Sequence, residues 1–280
     1  MRIFLAGASG VLGRRVMGRL LAGGHQVVGL TRKPGAIEEL GAEAVVADVF
    51  DADGLTEAVR SAAPEVVMHQ LTALRGGDRA ANARIRDEGT RNLVEASRAA
   101  GVRRMVAQSI AWAYEPGAEP ATEDVLLDLA SGADRLETVR GVVALETAVQ
   151  ALPEWVVLRY GMLYGPDTWY TNGALMAQLA QAGELPATAD VTSFVHVDDA
   201  VAAAVAALEW PSGAVNVCDD EPAAGYDWVP AFCRSVGAPE PSTTDTERTG
   251  WARGTDNYHA RHNLNWTPRW PSWRTGFSGA

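Results

Sequence analysis

Near the start of the chain, Gly7-Ala8-Ser9-Gly10-Val11-Leu12-Gly13 joins the apolar run Ile3-Phe4-Leu5-Ala6 to a segment with apolar residues at helical spacing. A glycine-rich turn that opens a helix can cradle an anion. Gly7 permits the tight turn, Gly10 lets backbone amides approach a pyrophosphate, and Gly13 lets helix and strand pack closely, while the helix dipole adds partial positive charge. Ser9, Val11 and Leu12 are read as parts of the same cradle. A free ribose 2′-hydroxyl is usually taken by an acidic residue about 20 positions further on. No Asp or Glu occurs between Gly13 and Glu38; Thr31-Arg32-Lys33 stands there instead, a hydroxyl and two cations suited to a 2′-phosphate. The expected cofactor is therefore NADP(H).

Other residues take positions from the elements around them. Apolar strands alternate with amphipathic helices through the first 160 residues, with strands near 2–6, 26–31, 43–48, 65–69, 103–108 and 155–159. That rhythm builds an α/β, Rossmann-type doubly wound parallel sheet, whose ligands bind beyond the carboxyl ends of the strands. Asp48 and Val49 close the third strand, where a carboxylate can accept from an adenine amino group. Gln70, Leu71 and Thr72 follow the fourth, and Tyr160 ends the sixth, at the rim expected for ribose and nicotinamide. After Gly161 the pattern changes to Pro, Gly and Trp punctuation around shorter helices, the mark of a smaller C-terminal lobe over the ligand edge. The expected division is 1–160 for the dinucleotide domain and 161–280 mainly for a substrate-binding lobe, with the chain returning to the sheet. Trp266, Trp270 and Trp273 read as a docked tail burying aromatic surface.

Composition bounds the function. A chain of 280 residues, 47% hydrophobic and 21% charged, can bury a core without staples. Cys218 and Cys233 form no C-x-x-C pair, which argues for buried thiols in a reducing, cytoplasmic setting. The net charge of -11 opposes nucleic acid and anionic membrane. Ala200–Leu208, the longest apolar run, is about half a membrane span. The start of the chain runs directly into a strand, so no export signal is expected. His259 and His262 are spaced three apart in the tail, and no metal site is expected there.

Taken together, these residues resemble a family. The chain is similar to the extended branch of the short-chain dehydrogenase/reductases, also called NAD-dependent epimerase/dehydratases. The resemblance rests on the glycine loop, Gly89-Thr90-Arg91-Asn92-Leu93-Val94-Glu95-Ala96, Gly101-Val102-Arg103-Arg104, Leu158-Arg159-Tyr160-Gly161 and Tyr164-Gly165-Pro166. Phe194-Val195-His196-Val197-Asp198-Asp199-Ala200 and Val215-Asn216-Val217 extend it along nearly the whole chain. It implies a substrate-capping lobe, a small-molecule substrate, and a homodimer formed through helices near 79–100 and 135–151.

The chain departs from the family at the catalytic centre. The family's Tyr-x-x-x-Lys pair, placed by alignment on Glu146, falls on Thr138 and Val142. No slip restores it: among 23 arginines the one lysine is Lys33, and no tyrosine precedes it. A tyrosine without that lysine stays protonated at neutral pH, able to donate a proton but poor at removing one. Reduction is thus favoured over oxidation, which counts against a sugar epimerase. Ser109, after the fifth strand, is the expected contact to a substrate oxygen, with Tyr114 and Tyr164 as further proton donors. Trp112, Trp169 and Tyr170 are expected walls of an apolar pocket. His196 has no nucleophile elbow to serve and is not read as part of a triad. The expected function is NADPH-dependent reduction of a small, hydrophobic carbonyl or enone. A non-catalytic NADP(H) sensor and a non-redox isomerase or cyclase remain open alternatives.

Overall fold

The computed structural model describes residues 1–32, 35–74 and 78–278. It contains two compact units: 1–109 with 129–158 and 204–214, and 110–128 with 159–203 and 215–280.

The first unit is built from alternating elements. β1 (Arg2–Ala6) leads to α1 (Val11–Ala22), β2 (Gln26–Thr31), α2 (Gly35–Glu38), β3 (Glu43–Val46), α3 (Ala52–Ala62) and β4 (Val66–His69). α4 (Arg79–Arg84), a π-helical turn (Ile85–Gly89) and α5 (Thr90–Ala99) then precede β5 (Arg104–Ile110), α6 (Ala133–Val149) and β6 (Glu154–Tyr160). Every residue of β4 and all but the first of β1 are buried, as expected for parallel strands covered on both faces. α1 buries the stripe Leu12, Gly13, Val16, Met17 and Leu20, spaced for one helical face. α3 starts where Asp51 accepts the Gly54 N–H at 3.1 Å and ends at Ala63 in the left-handed region, φ 43°. The core gathers Phe4, Val28, Leu55, Val59, Val67, Leu93, Met105, Leu145 and Val149.

The second unit adds β7 (Met162–Tyr164), α7 (Leu175–Gln181), β8 (Val191–Thr192), β9 (Phe194–His196) and most of α8 (Val197–Ala206). Beyond them lie β10 (Gly213–Val217), β11 (Ala223–Ala224), α9 (Gly225–Ser235) and α10 (Trp273–Ser278). Aromatic rings dominate its core: Phe194 meets Trp228 at 5.2 Å between centroids and 74° between planes, and Tyr170 stacks on Phe277 at 5.9 Å. The tail is tied down by two carboxylates. Asp199 accepts the N–H groups of Arg269 and Trp270, and Asp219 accepts that of Trp273 at 2.9 Å.

The central sheet has seven strands in the order β10-β6-β5-β4-β1-β2-β3. β1 pairs in parallel with both β2 and β4, and β2–β3 and β4–β5 are also parallel. Strand order therefore reverses between β1 and β4, the crevice where ligands of doubly wound sheets bind. The sequence pattern supplies six of these strands, and β10 is the seventh. Asn216 interrupts its apolar run yet is fully buried, because its side chain amide donates to the Ala121 and Asp256 carbonyls.

Candidate functional site

The glycine loop lies at the reversal point. Gly7 has φ +88°, and a Cβ there would sit 2.5 Å from the Gln70 carbonyl, so β1 and β4 converge too closely for any side chain. A Cβ on Gly13 would lie 2.0 Å from the Gly7 oxygen. Gly10 caps α1 without a side-chain acceptor, which leaves the first-turn amides to a ligand. Gln70 supplies a second indication. It is 4% exposed, and neither its amide oxygen nor its nitrogen has a hydrogen-bond partner. Buried polar groups left unmade cost about 1–3 kcal/mol each, so this amide suits a polar ligand beside the cradle. The residues present thus fit a dinucleotide.

The remaining expected cofactor residues vary in what they leave available. Thr31 is buried at the end of β2 and Arg32 is exposed just after it. Lys33 lies outside the described residues. Asp48 accepts the Phe50 N–H, and the Val49 carbonyl accepts from Asn92. The Leu71 N–H donates to Nδ1 of His69 at 3.2 Å, and Thr72 is exposed. In the second unit, the Tyr160 hydroxyl donates to the Ala200 carbonyl at 3.3 Å.

A buried polar group that sequence reasoning did not single out stands beside this crevice. With Nδ1 of His69 accepting from Leu71, Nε2 carries the proton and donates to the Thr90 hydroxyl at 2.8 Å. Burial, and then the charge of Arg86, lower the His69 pKa from 6.5 to about 4. Arg86, on the π-helical turn, is itself 5% exposed; burial lowers its pKa to about 10, against the attraction of Glu146. Glu146, on α6, accepts the proton of Ser109 Oγ at 2.7 Å. Ser109 is where the sequence puts it, at the end of β5, but its only proton is committed to a carboxylate.

The other expected donors belong to the second unit. The Tyr114 hydroxyl donates to Asn216 Oδ1 at 2.5 Å and accepts from Arg159 at 2.9 Å. Tyr164 is fully buried among Phe194, His196 and Phe277, and its hydroxyl has no partner. Burial, with the charges of Asp219 and Asp199, pushes its phenol far above the usual range, so it stays protonated. Tyr170 is a core residue of the aromatic cluster, Trp169 packs against that cluster, and Trp112 is half-buried. His196 stacks on Trp270 at 4.7 Å and accepts the Asp198 N–H. Among the described residues no three His, Cys, Asp or Glu could hold a metal ion, and no helix is long and apolar enough to cross a membrane.

Sequence comparison extends the picture. A 3-diazoavenalumate denitrifying reductase from a Streptomyces species is 46% identical over 99% of this chain and 99% of its own. A UDP-glucose 4-epimerase from Mycolicibacterium smegmatis is 32% identical over 96% of this chain and 94% of its own. Among solved structures, Bordetella bronchiseptica WbmG in complex with NAD and UDP matches with a TM-score of 0.77 at 22% identity, covering 100% of this chain and 93% of that one. The Thermus thermophilus UDP-glucose 4-epimerase complex with NAD also gives 0.77, at 24% identity, covering 99% and 97%. The expected enzyme class, an NAD(P)-dependent oxidoreductase, agrees with the reductase relative. The family model for NAD dependent epimerase/dehydratases matches residues 3–218, from β1 and its glycine cradle through the Asn216 strand, and the chain belongs to that family.

Proposed function

We propose that this protein is an NADPH-dependent reductase that delivers hydride to a small diazo acid, with loss of dinitrogen. The observation that carries the reading is the Ser109–Glu146 hydrogen bond in a chain whose one lysine is far from any tyrosine pair. Reduction of a ketone ends on an alkoxide that must be protonated. Here Ser109 gives its proton to Glu146, Tyr114 gives its own to Asn216, and Tyr164 is sealed in a core. An acceptor that needs no proton on oxygen suits such residues better. The diazonium form of a diazo compound is one: the incoming electron pair becomes a C–H bond, and the C–N pair leaves with N2. The 46% identical relative carries a name for chemistry of this kind.

The cradle of Gly7, Ser9, Gly10, Val11, Leu12 and Gly13 would hold the pyrophosphate, Gln70 would meet the nicotinamide end, and Thr31, Arg32 and Lys33 would receive the 2′-phosphate. When bound, the reduced dinucleotide supplies the hydride. The chain's own residues bind it, orient it and keep competing protons away.

The test is to follow NADPH oxidation with 3-diazoavenalumate, simple arenediazonium ions, ketones and enones, using cofactor deuterated at the transferring position. The expected result is turnover of the diazo compounds with N2 release and deuterium on the product carbon. Turnover confined to ketones or enones would put the carbonyl reading first. Tight NADPH binding with no turnover of any member would favour a sensor.

A further inference from the structure

Arg86, Glu146 and Ser109 come from three separate elements, and all are at least nine-tenths buried. Isolated buried charges are costly, so a buried Arg and a buried Glu on facing helices call for an explanation beyond stability. The π-helical turn that carries Arg86 is itself an unusual element, and such turns concentrate at functional sites. The side chain of Arg86 lies along α6 where that helix has Gly141, whose Cβ, if added, would sit 3.5 Å from the Arg86 Cβ.

We propose that Glu146 is a specificity determinant of this centre: by taking the only proton of Ser109 it denies that proton to a substrate oxyanion and so excludes carbonyl acceptors. The inference rests on the reductase reading above and adds the residues that select the acceptor. A hydroxyl has one proton and two lone pairs, so once Ser109 donates to Glu146 it can only accept from anything else. Glu146 is a positioning residue; it acts through Ser109.

His69 faces Arg86 from β4 and is kept neutral. Among the described residues, the helices before β5 also carry the surface pairs Arg84–Glu88, Arg91–Asp87 and Arg98–Glu95, and α6 itself carries Asp134, Arg135, Glu137 and Arg140.

Two variants test the proposal independently. In Glu146→Gln, the amide NH2 can donate to Ser109 Oγ, which frees the Ser109 proton. NADPH-dependent reduction of aryl ketones and benzaldehydes should rise at least about 10-fold over the unmodified protein, the lower range of general-acid effects. The gain should vanish in Glu146→Gln/Ser109→Ala. In Glu146→Leu, no acceptor faces Ser109 and its proton is free as well. Ketone reduction by that variant should also rise, again only while Ser109 is present. The Glu146→Leu variant carries the test if Glu146→Gln melts below the assay temperature. Folded, NADPH-binding variants that reduce ketones no faster than the parent, at any pH, would overturn the proposal, as would rapid ketone reduction by the parent. Failure of the parent on diazo compounds alone would instead strike the reductase reading.

Discussion

At the scale of single residues, cofactor recognition divides into a part that tells the phosphorylated dinucleotide from the plain one and a part that does not. Arg32 is exposed at the end of β2, placed to meet a 2′-phosphate. A charge-assisted hydrogen bond is worth about 1.5–3 kcal/mol, so Arg32→Ala should weaken NADPH binding by roughly 10- to 150-fold and leave NADH binding unchanged. Titration calorimetry with each cofactor checks this, and equal losses would refute it. Gly13→Ala should behave in the opposite way. Its Cβ would meet the Gly7 carbonyl at 2.0 Å, backbone that cannot give, so both cofactors should lose affinity together. The cradle was legible because glycine spacing reports backbone geometry directly. Glu146 and Arg86 left a quieter trace. Glu146 falls four residues after Val142 and three before Val149, on the buried stripe of α6, and Arg86 lies four before Thr90 on a buried face. A charge on an apolar face is a signal, but which opposite charge answers it from another helix is a tertiary fact.

Elements were read well where local chemistry sets their limits. Asp51 and Asp78 each cap a helix by accepting an N–H three residues on, and α4 begins at Arg79, where the expected helix near 79–100 starts. Replacing Asp51 with Ala removes one such bond and should cost about 1 kcal/mol. For a chain of this size that lowers the melting temperature by about 2–4 °C, with NADPH affinity unchanged because α3 packs chiefly on α5. A larger drop, or lost binding, would mean that α3 has a role beyond packing. Elements held together by distant partners were not readable. β10 is short and carries Asn216, which is tolerated only because Tyr114, Ala121 and Asp256 satisfy it from other parts of the chain. The irregular stretch 114–128 likewise owes its shape to pairing of Tyr114 with Leu127 and of Ala121 with Thr255.

For the molecule as a whole, two buried titratable groups pull stability in opposite directions with pH. Burial, then the charge of Arg86, lower the His69 pKa from 6.5 to about 4. Between those values the unfolded chain binds a proton that the folded one refuses, so stability is complete above pH 6.5 and is lost as pH falls towards 4. Asp219 works the other way. Burial raises its pKa from 3.8 to about 8, against the N–H groups of Glu221 and Trp273 that favour its ionised form. The folded chain then holds a proton that the unfolded one has released, so stability falls as pH rises from about 4 to 8. Each group contributes a slope of about 1.4 kcal/mol per pH unit, and the two slopes cancel between pH 4 and 6.5. Above 6.5 only that of Asp219 remains. Asp219→Asn removes it, so the variant's melting temperature should rise from pH 4 to 6.5 and then level. The parent should lose stability between pH 6.5 and 8, relative to the variant, as the buried Asp219 carboxyl is made to ionise. Thermal melts of both proteins across this range decide the matter. Parallel curves would mean that Asp219 is already ionised at neutral pH and that the two backbone N–H groups, rather than burial, govern its proton.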